Sequence, residues 1–289
     1  PSDQALAIST LRNVTIIMTL GNMEIATMRA PELADWALAH GRTSLTTTEI
    51  AELIGVPEDQ VRRRLHAPAT RGEWINPAQR LWIPVPPQYR TWGAPPAIGV
   101  VDALLRHLDV RYYVGWLSAA ALFGSTHQAP QVFQVAVGRH VRDRVIGRSR
   151  FEFHHRGALT HTATEQLATP SGFTTVSTVT ATALDVLTDV TIAGGLNNAA
   201  TVAIELSEHP DFSVHDALER APHSPIATIR RLGWILEHHA ENSLDLDALA
   251  RLSDQAAPSP SRLNPTLSLR GPIDQRWNLS INDDLEVDL

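Results

Sequence analysis

The sequence predicts an α+β protein of at least two domains, on three observations. Residues 31–83 carry three helical patterns followed by a hairpin signal. Proline punctuation follows at Pro84, Pro86, Pro87, Pro95 and Pro96, and proline neither continues a helix nor donates to a central strand. Beyond it, helical runs mix with β-rich segments such as 131–137 and 172–179. From about residue 196 the pattern is mainly helical and closes on a β-like stretch at 276–281.

The stretch over 31–83 is the most informative. In its first helix Pro31 takes a favoured first-turn position, and Leu33, Trp36, Ala37 and His40 recur at helical spacing before Gly41 stops it. The second helix opens on Thr46-x-x-Glu49, a capping-box spacing in which each side chain satisfies the other's backbone N–H. Ile50, Leu53 and Ile54 form its apolar face and Gly55 ends it. A third helix starts at Pro57 or Glu58. Val61 and Leu65 must face the core, which turns Asp59, Arg62, Arg63 and His66 outward with Arg64 on the flank. Pro68 is expected to end this helix near Ala67. After Gly72, the runs Glu73-Trp74-Ile75 and Arg80-Leu81-Trp82-Ile83 flank a turn expected at 76–79.

Helix, helix, tight turn, helix, hairpin is the order of a winged helix-turn-helix. The expected organisation is therefore an N-terminal arm over 1–30 and a winged helix-turn-helix over 31–90. An α/β domain over 91–289 follows, helical from about 196. The winged unit suits duplex DNA, because its third helix fits the major groove and arginine reaches phosphates or the acceptor edge of guanine. Gln60, Arg62, Arg63 and His66 are the candidate groove-facing set, with Arg64, Arg71 and Arg80 on phosphate and Thr47 and Thr48 adding backbone contacts. The competing reading is a solvated basic helix in a protein-interaction module.

Composition removes much of enzymology. The chain has no cysteine, which excludes disulfides, thiol catalysis, iron–sulfur clusters and thiolate zinc sites. It also has no lysine, so all 24 basic residues are arginine. That excludes a P-loop lysine, a Schiff base, a kinase ion-pair lysine and lysine-dependent nuclease motifs. The net charge of −7 conceals an asymmetry. Residues 1–160 hold 17 arginines against 13 acids, and residues 200–289 hold 7 against 15. A basic front half and an acidic tail suggest one surface for a polyanion and another for something else. No apolar run reaches membrane-spanning length and no secretory signal is visible, so a cytoplasmic location is expected.

The remaining chemistry-bearing residues read as structural. Ser118 lies in Gly115-x-x-Ser118-Ala119, not in a hydrolase elbow, and His127 is a loop or cap residue before it is a base. His154-His155, His161 and His238-His239 lack metal-ligand spacing. Asp185 and Asp189 are four apart on an expected helix and read as a solvated face. Gly194-Gly195-Leu196-Asn197-Asn198 reads as a turn and helix start. Arg139, Arg142, Arg144, Arg148, Arg150 and Arg156 form a second basic cluster. Three readings of it stay open: an extension of a DNA track, a dock for an acidic partner, or a solvated surface.

Several segments together resemble AbiEi-type antitoxins. They are the unit from Thr46 to Pro84 followed by Tyr89-Arg90, the run from Tyr112-Tyr113-Val114-Gly115-Trp116 to Phe123-Gly124, and His127-Gln128-Ala129-Pro130 leading to Val135. Phe151 and Phe153, Thr169-Pro170-Ser171-Gly172, Thr182-Ala183-Leu184-Asp185 and Arg230-Arg231-Leu232-Gly233-Trp234 also fit the pattern, which covers roughly 31–289 and resembles a mycobacterial member. The resemblance implies an antitoxin of a two-gene toxin–antitoxin or abortive-infection operon. It implies repression of the protein's own promoter through inverted repeats in double-stranded DNA. A neighbouring nucleotidyltransferase-like toxin is the implied partner, counteracted directly or indirectly. The expectation is thus a non-enzyme with no catalytic residues, metal, cofactor or membrane. The alternative is a winged-helix regulator whose second domain binds an effector, with no toxin partner; the identity of the next gene separates the two. An uncharacterised DNA-processing enzyme is disfavoured by the missing lysine and the lack of an acidic cluster.

Overall fold

The computed structural model describes residues 7–11, 14–18, 28–125, 131–157, 159–256 and 258–287. The chain divides into two compact units, Pro1–Pro95 and Pro96–Leu289, and the fold is α+β. The first unit opens on an antiparallel pair, β1 (Ala7–Leu11) and β2 (Val14–Met18). The rest of the expected N-terminal arm up to residue 27 lies outside the described residues.

α1 (Leu33–Ala39), β3 (Leu45–Thr46), α2 (Thr47–Ile54), α3 (Glu58–Thr70), β4 (Trp74–Ala78) and β5 (Leu81–Pro84) then form the winged helix. The strands lie in the order β3-β5-β4. The capping box of α2 is closed in both directions: Glu49 N–H donates to Thr46 Oγ1 at 3.2 Å, and Thr46 N–H donates to Glu49 Oε2 at 2.7 Å. Gly55 ends α2 at φ +66°, a conformation that costs glycine nothing. Leu33, Ala37, Leu45, Ile50, Val61, Leu65 and Trp74 meet in one core.

Two local expectations are corrected. The third helix does not stop at Ala67 but runs through Pro68 to Thr70. Proline removes one intrahelical donor, yet its ring is buried and extends the Val61–Leu65 stripe at the next helical step. Its carbonyl accepts from Glu73 N–H at 3.0 Å, which ties the helix end to the wing. The wing turns not at 76–79 but at Gln79 and Arg80. β4 continues past Pro77 because the register shifts between Ile75 and Ala78, a bulge that absorbs the missing donor. Asn76 Nδ2 donates to the carbonyls of Ala78 and Leu81 at 3.0 and 2.6 Å, and Arg80 takes φ +64° to close the turn.

The second unit holds α4 (Val101–His107), β6 (Tyr112–Val114), α5 (Trp116–Leu122), β7 (Val132–Val137), β8 (Arg144–Ile146), β9 (Ser149–His155), β10 (Thr164–Thr169) and β11 (Gly172–Ser177). α6 (Val179–Thr188), α7 (Leu196–Ser207), α8 (Val214–Arg220), α9 (Ile226–His239) and α10 (Asp247–Gln255) follow, and three two-residue strands close the chain, β12 (Ser261–Arg262), β13 (Ile273–Asp274) and β14 (Leu279–Ser280). The main sheet runs β10-β11-β6-β7-β9-β8, with β11–β6 and β7–β9 parallel and the other pairs antiparallel.

α6 is buried from Val179 to Leu187, the signature of a helix enclosed on all sides. α7 and α9 pack on it, with Ala200, Ile204, Ile229 and Leu232 in the shared core. α9 carries three features that fix the C-terminal segment. Arg230 reaches Ser253 Oγ at 3.1 Å, the Ser259 carbonyl at 2.8 Å and Ser261 Oγ at 3.0 Å. Arg231 donates to the carbonyls of Leu187 and Arg262, and burial pushes its guanidinium down to about 10. Gly233 leaves the space taken by the buried ring of Trp277, where an added Cβ would lie 2.0 Å from the indole.

Candidate nucleic-acid interface and an internal charge cluster

Of the expected DNA-reading residues, Thr47 and Gln60 are half-buried and the others are exposed. Val61, Leu65 and Pro68 anchor α3, and Arg62, Arg63, Arg64 and His66 are all exposed on its other faces. Among the described residues, Arg62, Arg64 and His66 form no ion pair, while Arg63 donates to Gln60 Oε1 at 3.2 Å. α3 therefore presents cationic donors toward solvent with little internal neutralisation.

The outer candidates are already engaged. Arg71 pairs with Glu73 at 2.7 Å. Thr47 Oγ1 accepts from Trp82 Nε1 at 3.2 Å, which fixes the start of α2 against the wing. Thr48 Oγ1 donates to Glu58 Oε1 at 2.6 Å, and Arg80 donates to Glu58 Oε2 at 2.5 Å and to Thr48 Oγ1 at 3.1 Å. The first turns of α2 and α3 and the wing thus converge on one carboxylate.

The second unit holds a cluster that sequence reasoning missed. Asp185 and Asp189 are not a solvated face. The Asp185 side chain is 6% exposed, and Arg156, read as part of the surface cluster, turns inward to bond both carboxylates. Arg156 also donates to Tyr113 Oη at 2.7 Å, and Tyr113 Oη donates to Asp185 Oδ2 at 2.9 Å. Trp116 Nε1 donates to Asp189 Oδ2 at 3.1 Å, and the guanidinium lies over the Trp116 ring, 5.0 Å from its centroid. Desolvation raises the pKa of the Asp185 carboxyl against the pull of Arg156, and it raises that of the Tyr113 hydroxyl too, with the Asp185 charge adding to the effect. The bonded partners lie 29 to 73 residues apart in sequence, so no local pattern could have gathered them.

Above the cluster opens a cleft of about 280 Å³, lined by Arg156, Asp185 and Asp189 below and by His161, Arg220 and His223 among its other walls. The His161 and His223 rings lie 4.1 Å apart. The other singled-out residues have structural partners. Ser118 Oγ accepts from Gln134 N–H at 2.8 Å and joins α5 to β7. His154 packs edge-on against Trp116, and His238 bonds the Trp234 carbonyl at 2.9 Å. His127 lies outside the described residues. Among the described residues, no three His, Asp or Glu side chains gather closely enough to hold a metal ion, and no helix is long and apolar enough to cross a membrane. Of the remaining cluster arginines, Arg139 bonds the Leu108 carbonyl, Arg150 pairs with Glu152 at 3.3 Å and Arg144 lies over the Phe153 ring.

Comparison with known proteins adds to this geometry. Residues 113–238 match the family profile described as AbiEi antitoxin C-terminal domain. No curated protein matches the chain. The chain is similar to the crystal structure of the RV2827C protein from Mycobacterium tuberculosis, with a TM-score of 0.62 and 14% identity over 86% of this chain and 90% of that one. At that identity the likeness shows a common fold.

Proposed function

From residues 113–238 as an AbiEi antitoxin C-terminal domain, we propose that this protein is the antitoxin of a toxin–antitoxin operon and represses its own promoter. Residues 31–90 bind inverted repeats in duplex DNA, and the remaining domain counteracts a neighbouring nucleotidyltransferase-like toxin. The observation that carries the DNA reading is the exposed set Arg62, Arg63, Arg64 and His66 on α3, the helix that a winged helix-turn-helix lays in the major groove. Gln60, Arg62, Arg63 and His66 read base edges. Arg64, Arg71 and Arg80 hold phosphates, with Thr47 and Thr48 beside them.

The test is binding to a duplex from the upstream region against a scrambled duplex, at several salt concentrations. Log K is expected to fall with log salt at about −0.9 per phosphate contact. Replacing Arg62 and Arg63 by Ala should weaken specific binding by roughly tenfold to a hundredfold per arginine with the circular dichroism unchanged. Unchanged binding by that variant would remove α3 as the recognition helix. Restored growth on co-expression with the adjacent toxin gene tests the second half of the reading. The cleft above Arg156 favours one other reading, an effector-binding regulator with no toxin; an efflux or catabolic gene next door would support it.

A further inference from the structure

We propose that Glu58 is a built-in substitute for a DNA phosphate, a specificity-determining residue that keeps the winged helix from clinging to duplex of any sequence. The inference rests on the DNA-binding reading above and deepens it. Glu58 is the first residue of α3, and its carboxylate lies where two donors from two other elements converge. Thr48, in the first turn of α2, gives it a hydroxyl at 2.6 Å. Arg80, at the tip of the wing, gives it a guanidinium N–H at 2.5 Å and braces the Thr48 hydroxyl at 3.1 Å. Arg80 reaches this place from a left-handed backbone, φ +64°, which a non-glycine residue adopts only against steric resistance.

Convergent donors of this kind are what a helix-turn-helix offers the DNA backbone. The N-terminal turns of α2 and α3 carry the positive ends of their dipoles, and a hydroxyl and an arginine complete a seat for one oxyanion. Here the oxyanion belongs to the protein. The side chains of Arg80 and Glu58 are 54% and 41% exposed, so water screens the pair and a competing phosphate can open it. Opening it turns the Glu58 charge toward the polyanion. Association therefore carries a repulsive element, and repulsion discriminates when only the correct sequence supplies the α3 base contacts that outweigh it. Asp59 follows on the exposed face and adds a like charge.

The experiment uses the full chain and measures equilibrium binding to the upstream duplex and to a scrambled duplex across a fourfold range of salt. Glu58→Gln is expected to tighten binding to the scrambled duplex by severalfold and to narrow the ratio between the two duplexes. It should steepen the salt slope by about 0.9, an extra loss of about 3.5-fold over that range for one more phosphate contact. Glu58→Asp, which keeps the charge, should restore the wild-type slope and ratio. Adding Arg80→Ala to Glu58→Gln should abolish the gain, because Arg80 is the donor released. A role confined to folding would lower the melting temperature of Glu58→Gln and leave slope and ratio where they were, and that result overturns the proposal. It is also overturned if the wild type reads its operator and Glu58→Gln matches it on both duplexes, with the DNA-binding reading left intact. Absence of specific binding by the wild type would overturn that reading itself.

Discussion

Replacing Arg156 by Met probes the second unit where its electrostatics are most concentrated. Among the described residues, the guanidinium is the one cation within bonding distance of both Asp185 and Asp189, and the Asp185 side chain is 6% exposed. Methionine keeps the stem and the contact with Trp116 but leaves two carboxylates facing each other's field. Removing one partner of a buried ion pair costs about 3–5 kcal/mol. For a unit of this size that corresponds to a melting point lower by about 6–20 °C. The loss should also depend on pH with a definite sign. Without Arg156, burial and the neighbouring Asp189 hold the folded pKa of Asp185 above its unfolded value. Stability is then fully present below the unfolded value and is lost as pH rises through the raised folded one, so the variant recovers on acidification. Arg156→Lys should recover only part of the loss, since a compact ammonium cannot fork to two carboxylates and a phenol. The assay is calorimetry of the full chain at mildly acidic and mildly alkaline pH. A Met variant that melts within about 2 °C of the wild type at both would refute the reasoning, as that shift is no more than about 1 kcal/mol.

Other outcomes follow from the same geometry. Thr46→Ala removes one half of the α2 capping box and should destabilise the first unit by about 1 kcal/mol in chemical denaturation. Burial raises the pKa of Glu49, but the Thr46 hydrogen bonds and Arg42 outweigh it and hold the carboxyl below its usual range. Its contribution is therefore present above the unfolded pKa and lost as pH falls through the folded one, and an acid titration of the first unit's unfolding should lose that step in Glu49→Gln. Gly233→Ala places a methyl 2.0 Å from the Trp277 ring, which is fully buried and has nowhere to go. Overpacking of this severity should cost about 3 kcal/mol or more, read as loss of the cooperative melt of the second unit.

The first unit was legible because its signals are local. A capping box, a terminating glycine and a wing hairpin each span a few residues, and each helix face follows from 3.6-residue spacing. The misread positions are those where a neighbour overrode the local rule. Pro68 stays inside α3 because its ring completes the buried stripe with Val61 and Leu65, and the wing turns at Gln79 and Arg80 because a bulge accommodates Pro77. In the second unit two strands of the main sheet were visible, at 131–137 and 172–179, but the Arg156 cluster was not. Asp185 and Asp189 repeat at helical spacing, which on sequence alone is the mark of a solvated face. Only the return of β9 past Tyr113 brings their counter-charge to them. Arg230 and Arg231 were likewise hidden, since nothing in a charged dipeptide says that its carbonyl partners arrive from Leu187 and from 253–262.

The seat of Trp277 bears on how the protein is made. The indole fills the notch at Gly233, yet it leaves the ribosome more than forty residues later, an interval of roughly two to eight seconds at ordinary elongation speeds. During that interval α9 exists without the ring that closes it, and Arg230 waits for Ser259 and Ser261. The second unit is therefore sealed only once Trp277 has emerged, rather than progressively with each helix. A messenger cut short before this tryptophan would yield a chain with an open apolar notch, readily distinguished by proteases and chaperones from one that carries the ring.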